Sequence, residues 1–164
     1  MKNKVAYFGV FVALALIFSY VETLIPVIIA VPGVKLGLTN LIVIVALYKM
    51  NFKSAALISI TRILLSGFLF GNMASIMYSL AGGILSLIVM TALKRTNAFH
   101  LISISIAGGV AHNIGQLIVA MLVLKTYSLI YYFSVLMIAG LVTGAIIGIV
   151  ANEMLKRLTN INMK

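Results

Sequence analysis

The chain has 164 residues, 63% of them hydrophobic and 9% charged, with a net charge of +10 and a mean hydropathy of +1.24. A soluble domain carries about 25% charged residues, so this composition excludes one and points to a chain solvated by lipid. Cysteine is absent, which excludes a disulfide framework and a thiolate metal site.

A spanning helix needs ~20 predominantly apolar residues, or ~17 at the short end. Val5–Tyr20 is the first such run, and it stays apolar past Glu22 as far as Val31. Its basic start and apolar core resemble a signal peptide, but no small-x-small cleavage site follows cleanly, so a retained helix is expected. Leu36–Tyr48 is the second and shortest run, after Pro32-Gly33; Ala55–Phe70, interrupted by Arg62, is the third. Ala74–Leu93, Leu101–Leu124 and Leu129–Met154 complete the series. The runs are continuous and do not alternate in ~10-residue strands, which argues against a β-barrel. The predicted fold is an all-α integral membrane protein, a compact bundle of six transmembrane helices forming one domain over residues 1–164. No soluble domain, long linker or internal repeat is expected.

The basic residues are unevenly placed. Lys2, Lys4, Lys49, Lys53, Lys94, Arg95, Lys156, Arg157 and Lys164 flank one set of helix ends, whereas Lys35 and Lys125 fall on the other. By the positive-inside rule this places both termini in the cytoplasm and the chain in the cell membrane as a multi-pass protein. The charge is thus topology information with lipid headgroups as incidental partners, and nucleic acid is not an expected partner.

Catalytic and cofactor motifs are missing. No GxxxxGK[ST] phosphate loop is present, and Glu22 and Glu153 are the only acidic residues. Neither an aspartate-rich magnesium site nor a two-carboxylate acid/base pair can be built from them. With His100 and His112 the only histidines, a histidine-rich zinc site is excluded too. An autonomous enzyme is not expected, nor is a metal or cofactor.

Three polar constellations stand out. The connection ETLIPVIIAVPGVKLGLTN (residues 22–40) is apolar but broken by Pro26 and Pro32, with Gly33 and Gly37 permitting tight turns. Irregular backbone at membrane depth must be buried in protein or line a cavity, so the segment reads either as a cap over an outward site or as a kinked hairpin. As a cap it contributes Glu22, Lys35 and Asn40 to a candidate ligand site. In SITRILLSG (residues 59–67), Ser59, Arg62 and Ser66 share one helix face. A mid-span arginine costs roughly 2.5–3.5 kcal/mol even on insertion scales. Either Glu22 compensates it or an anionic ligand does, through guanidinium geometry suited to phosphate or carboxylate; the two can coexist.

The third constellation is GGVAHNIGQL (residues 108–117), where His112, Gln116 and Asn113 form a polar arc about 100° wide beside Gly108, Gly109 and Gly115. The arc reads as an interhelical network or as the lining of a ligand site, and three such residues within five positions favour the lining. The candidate site is therefore Arg62, Ser66, His112, Asn113, Gln116, Glu22, Lys35 and Asn40. Small-residue ridges complete the pattern: Gly140, Gly144 and Gly148; Gly9 and Ala13; and Ser75, Ser79 and Gly83. They are expected to pack mainly within the chain.

PGVKLGLTN, TRILLSG, YSLAGGILSLIVM (residues 78–90) and GGVAHNIGQL together resemble the bacterial family of heptaprenyl diphosphate synthase component I, also called the Gx transporter family. The resemblance covers about residues 20–148, and GGVAHNIGQL is its most specific part. That family is similar in size and helix count to the S components of energy-coupling-factor transporters, in which six helices surround a site capped by the first loop. The resemblance implies a substrate-binding subunit for a small, anionic or isoprenoid- or vitamin-like ligand. It also implies a transmembrane coupling subunit and ATPases as partners, with Gly9 and Ala13 at the contact. The alternative is a noncatalytic component of heptaprenyl diphosphate (menaquinone side-chain) synthesis, because a chain with two acidic residues lacks the carboxylates a prenyl synthase needs.

Overall fold

Hydrocarbon offers no water to satisfy backbone N–H and C=O groups, so each apolar run must close its own hydrogen bonds as a helix. The computed structural model describes residues 2–24 and 37–158, which hold six α-helices and no strands. They are α1 (Lys2–Leu24), α2 (Asn40–Lys49), α3 (Phe52–Phe70), α4 (Met73–Thr96), α5 (Leu101–Leu124) and α6 (Phe133–Arg157). A 3₁₀ segment, Tyr127–Tyr132, leads into α6. Asn51 and Asn72 start α3 and α4 by accepting from the Ser54 and Ser75 N–H groups, each at 2.8 Å.

All six predicted helices are present, but among the described residues only five are long and apolar enough to cross a bilayer. The second is a half-helix. At ten residues α2 is about 15 Å long, half the ~30 Å hydrocarbon thickness. The sequence suggested a start at Leu36; the helix instead begins at Asn40, after Gly37 turns at φ +82°, a conformation glycine adopts without steric cost. Asn40 through Leu47 are all buried, including Ile44, Val45 and Ala46 at 0% exposure. A helix apolar around its whole circumference belongs in a core, and α2 touches every other helix of the bundle.

The far end of α2 is fixed by charged residues. Lys49 Nζ donates to the Leu158 carbonyl beyond α6. Lys94 Nζ, near the end of α4, donates to the Leu47 carbonyl at 2.6 Å and stands 4.5 Å from the centre of the Tyr48 ring. Lys49, Lys53, Lys94, Arg95, Lys156 and Arg157 therefore gather at one end of the bundle, and Lys125 closes α5 at the other. Because α2 ends at this basic end and is about 15 Å long, its first residue lies near mid-depth.

α5 is sandwiched between α4 and α6. A Cβ on Gly109 would lie 2.6 Å from the Gly140 carbonyl oxygen, and one on Gly144 would lie 2.7 Å from the Ile106 Cα. The Gly140, Gly144 and Gly148 ridge thus packs on α5 within the chain. On α4 the close approach falls at Gly82, which meets Gly115 and the His112 carbonyl, while Gly83 faces Ser59 and Ile63 of α3. Gly9 differs: nothing lies within 4 Å of where its Cβ would be, and Ala13 is exposed as well.

Candidate functional site

The turn ahead of α2 organises the polar interior. Glu22, 4% exposed near the end of α1, accepts hydrogen bonds from the backbone N–H groups of Gly37 at 2.5 Å and Leu38 at 3.3 Å. A carboxylate is thereby set at the positive end of a half-helix, where the unsatisfied N–H groups and the peptide dipoles favour negative charge. The space beside the turn is tight. A Cβ on Gly37 would lie 3.0 Å from Asn40 Nδ2 and 3.4 Å from the His112 ring. Gly37 thus brings the start of α2 against the middle of α5.

On α5 the polar arc splits. His112 and Gln116, one turn apart, are joined by a 3.0 Å hydrogen bond between imidazole and amide, and both face Gly82 of α4. Asn113 turns the other way and donates from Nδ2 to the Leu136 carbonyl of α6 at 2.7 Å. Its amide is a structural tie between α5 and α6.

Arg62 comes from the middle of α3 and is 1% exposed. Ser59 and Ser66, predicted to share its face, are buried at 4% and 2%, and the Ser66 hydroxyl donates back to the Ile63 carbonyl. Arg62 and Glu22 make no direct salt bridge among the described residues, although the Glu22 charge acts on the guanidinium. The backbones of α3 and α5 stay apart; both helices pack on α2 and α4. Arg62 is therefore linked to the His112 end of the layer through Glu22 and the Gly37 turn.

Of the predicted site residues, Glu22, Asn40, His112 and Gln116 gather at the turn, and Arg62 is coupled to them through Glu22. Asn113 is committed to α6, and Ser66 to its own helix. Lys35 lies outside the described residues, as does the 25–36 part of the expected cap. Three buried hydroxyls were not anticipated: Ser19, Thr39 and Ser86, each without a hydrogen-bond partner among the described residues. Ser19 had a signal, because Phe11, Ala15, Ser19 and Glu22 repeat at helical spacing on the buried side of α1.

The chemistry of the layer follows from its unused atoms. Arg62 Nε and Nη2, Asn40 Nδ2, Thr39 Oγ1 and Gln116 Oε1 are buried without a hydrogen bond among the described residues. Buried polar groups are nearly always paired, so a cluster of exceptions requires an explanation. Donors outnumber acceptors among them, and one carries a fixed positive charge; such a set complements an anionic, acceptor-rich group. No curated protein and no solved structure gives a significant match. The family model for heptaprenyl diphosphate synthase component I matches residues 11–154, which contain the half-helix and every described residue of the candidate site, and the chain belongs to that family.

Proposed function

We propose that the chain is a noncatalytic membrane subunit that binds the anionic group of a small ligand at mid-depth, as an S component does for its transporter. Arg62 carries this reading: a fully buried guanidinium with Nε and Nη2 unpaired among the described residues, acted on by the charge of the Glu22 carboxylate that binds the start of a half-helix. An arginine kept only for structure would be expected to pair both edges of its planar fork. Broken helices whose N-termini face a mid-membrane site recur in secondary transporters, where they meet anionic substrate groups. Glu22 holds the turn, Arg62 receives the charge, and Asn40, Thr39 and Gln116 orient the ligand's polar atoms. The basic end faces the cytoplasm of a cell membrane by the positive-inside rule. The exposed Gly9 and Ala13 face of α1 takes a coupling subunit, whose ATPases supply the energy this chain cannot.

The family name supports a second reading, in which the chain is the membrane partner of a prenyl diphosphate synthase and Arg62 meets a diphosphate. One preparation separates the two. Gently solubilised wild-type protein and Arg62→Gln are compared by mass spectrometry of copurifying small molecules and proteins. A phosphate- or carboxylate-bearing compound present in the wild type and lost from the variant is expected, with a second membrane subunit and ATPases alongside. A soluble prenyl synthase subunit in their place selects the second reading, and an identical set of small molecules in both preparations overturns the anion site.

A further inference from the structure

The membrane-facing seam between α3 and α4 carries two adjoining cavities away from the polar layer. One, about 230 Å³, is lined by Ala56, Ser59, Ile60, Gly83, Ile84 and their neighbours and is almost wholly apolar. Ile60, Ile84 and Ile88 on its rim are 40–53% exposed, so it opens outward to the bilayer. The other, about 320 Å³, lies at the basic end and is lined by Tyr48, Asn51, Thr91, Lys94 and Arg95, among others. Phe52 lines both, and Ile88 of the first is one turn of α4 from Thr91 of the second, so they adjoin end to end along α4 as two parts of a groove that meet at Phe52.

We infer that this groove binds one anionic phospholipid from the leaflet at the basic end, with an acyl chain in the apolar part and the phosphate at Lys94 and Arg95. The polarity changes along the groove in the same sense as it changes along a lipid. Two cations face the head, and the first turn of the 19-residue α3 adds backbone N–H groups and the positive end of its dipole. Asn51 uses Oδ1 to cap α3, which leaves its amide nitrogen for a phosphate oxygen. The chain supplies just two side-chain carboxylates to compete with a lipid phosphate; Glu22 of α1 is bound to the buried Gly37 turn, and Glu153 is engaged by Lys156 and Arg157 on α6. The site is independent of the proposed mid-depth ligand.

Native mass spectrometry of the full chain in detergent, titrated with phosphatidylglycerol, phosphatidylcholine and inorganic phosphate, tests it. One phosphatidylglycerol should be retained, several-fold more tightly than phosphatidylcholine. Arg95→Gln should weaken it about fivefold, the worth of one cation near an anionic headgroup. Arg157→Gln, an equal charge change off the groove, should leave it unaltered. Ala56→Phe should weaken both lipids by filling the apolar part; if circular dichroism shows that it fails to fold, Ile60→Trp on the exposed rim takes its place. Equal losses in Arg95→Gln and Arg157→Gln, undiminished binding in the filled-groove variant, or displacement by inorganic phosphate alone would each overturn the inference. Tighter, Arg95-dependent retention of farnesyl diphosphate would overturn the assignment to a phospholipid.

Discussion

The α5–α6 seam and the layer around the start of α2 are both buried, and both are built from residues unusual in an apolar chain. At the seam every such residue is used. Gly109, Gly140 and Gly144 bring two backbones into contact, and Asn113 spends its amide on the Leu136 carbonyl. In the layer, Arg62, Asn40, Thr39 and Gln116 all keep buried polar atoms unpaired among the described residues. Close packing in lipid is a source of stability, because no hydrophobic force drives helices together there. Unpaired polar groups in hydrocarbon are a cost. The seam therefore holds the bundle, and the proposed anion site accounts for the cost carried by the layer.

Substitutions should break the two regions differently. Gly144→Val drives a branched side chain into the Ile106 Cα and the Ser105 carbonyl, both backbone atoms that cannot swing aside. A loss of about 3 kcal/mol or outright misfolding is expected from overpacking, seen as a collapse of the melting temperature in detergent. Gly9→Val, the same change where nothing lies within 4 Å, should leave the melting temperature of the isolated chain unaltered. Equal effects at both positions would contradict the seam's role.

Gly37→Ala should cost about 1–2 kcal/mol, because an L residue at φ +82° is strained and its Cβ would press on Asn40 and His112. The loss should come with reduced ligand retention, since the turn belongs to the layer. Asn113→Leu should cost less, about 1 kcal/mol for one interhelical hydrogen bond in a membrane, with retention of the copurifying compound unaltered. If Asn113→Leu empties the protein while it remains folded, the division of α5 into two roles fails.

Much of this was legible in the sequence. α5 runs from Leu101 to Leu124 as its apolar run predicts, and the glycine spacing at 140, 144 and 148 announces a contact ridge. Arg62 is conspicuous because charge at mid-span has few explanations. What could not be read depends on tertiary contact. Thirteen residues from Leu36 to Tyr48 look like a short span, and only the sign of φ at Gly37 and the burial of all sides of α2 reveal a half-helix. Glu22 reads as the natural partner of Arg62, yet its oxygen goes to backbone N–H groups fifteen and sixteen positions away, which no side-chain pattern encodes. His112 and Asn113 are sequence neighbours about 100° apart on the helix, and that angle sends one to the α2 turn and the other to α6. Thr39 and Ser86 are hidden for another reason. Hydroxyls in apolar helices commonly bond back to their own backbone, as Thr91 and Thr143 do, so their type alone signals nothing.

The central claim is that the charges of the layer are kept for an anion and not for stability. Paired melting curves of wild type and the Arg62→Met/Glu22→Gln variant, each with and without a small-molecule extract of the source cells, test it most directly. Glutamine at position 22 keeps an oxygen for Gly37 and Leu38, and replacing buried charges by an apolar side chain is often neutral or stabilising by about 1–4 kcal/mol. The account predicts that the stripped variant melts at or above the stripped wild type, and that the extract raises the wild type alone, through binding to the folded state. A variant that melts well below the wild type when stripped, yet gains as much from the extract, would show that Arg62 and Glu22 serve the fold and not a ligand.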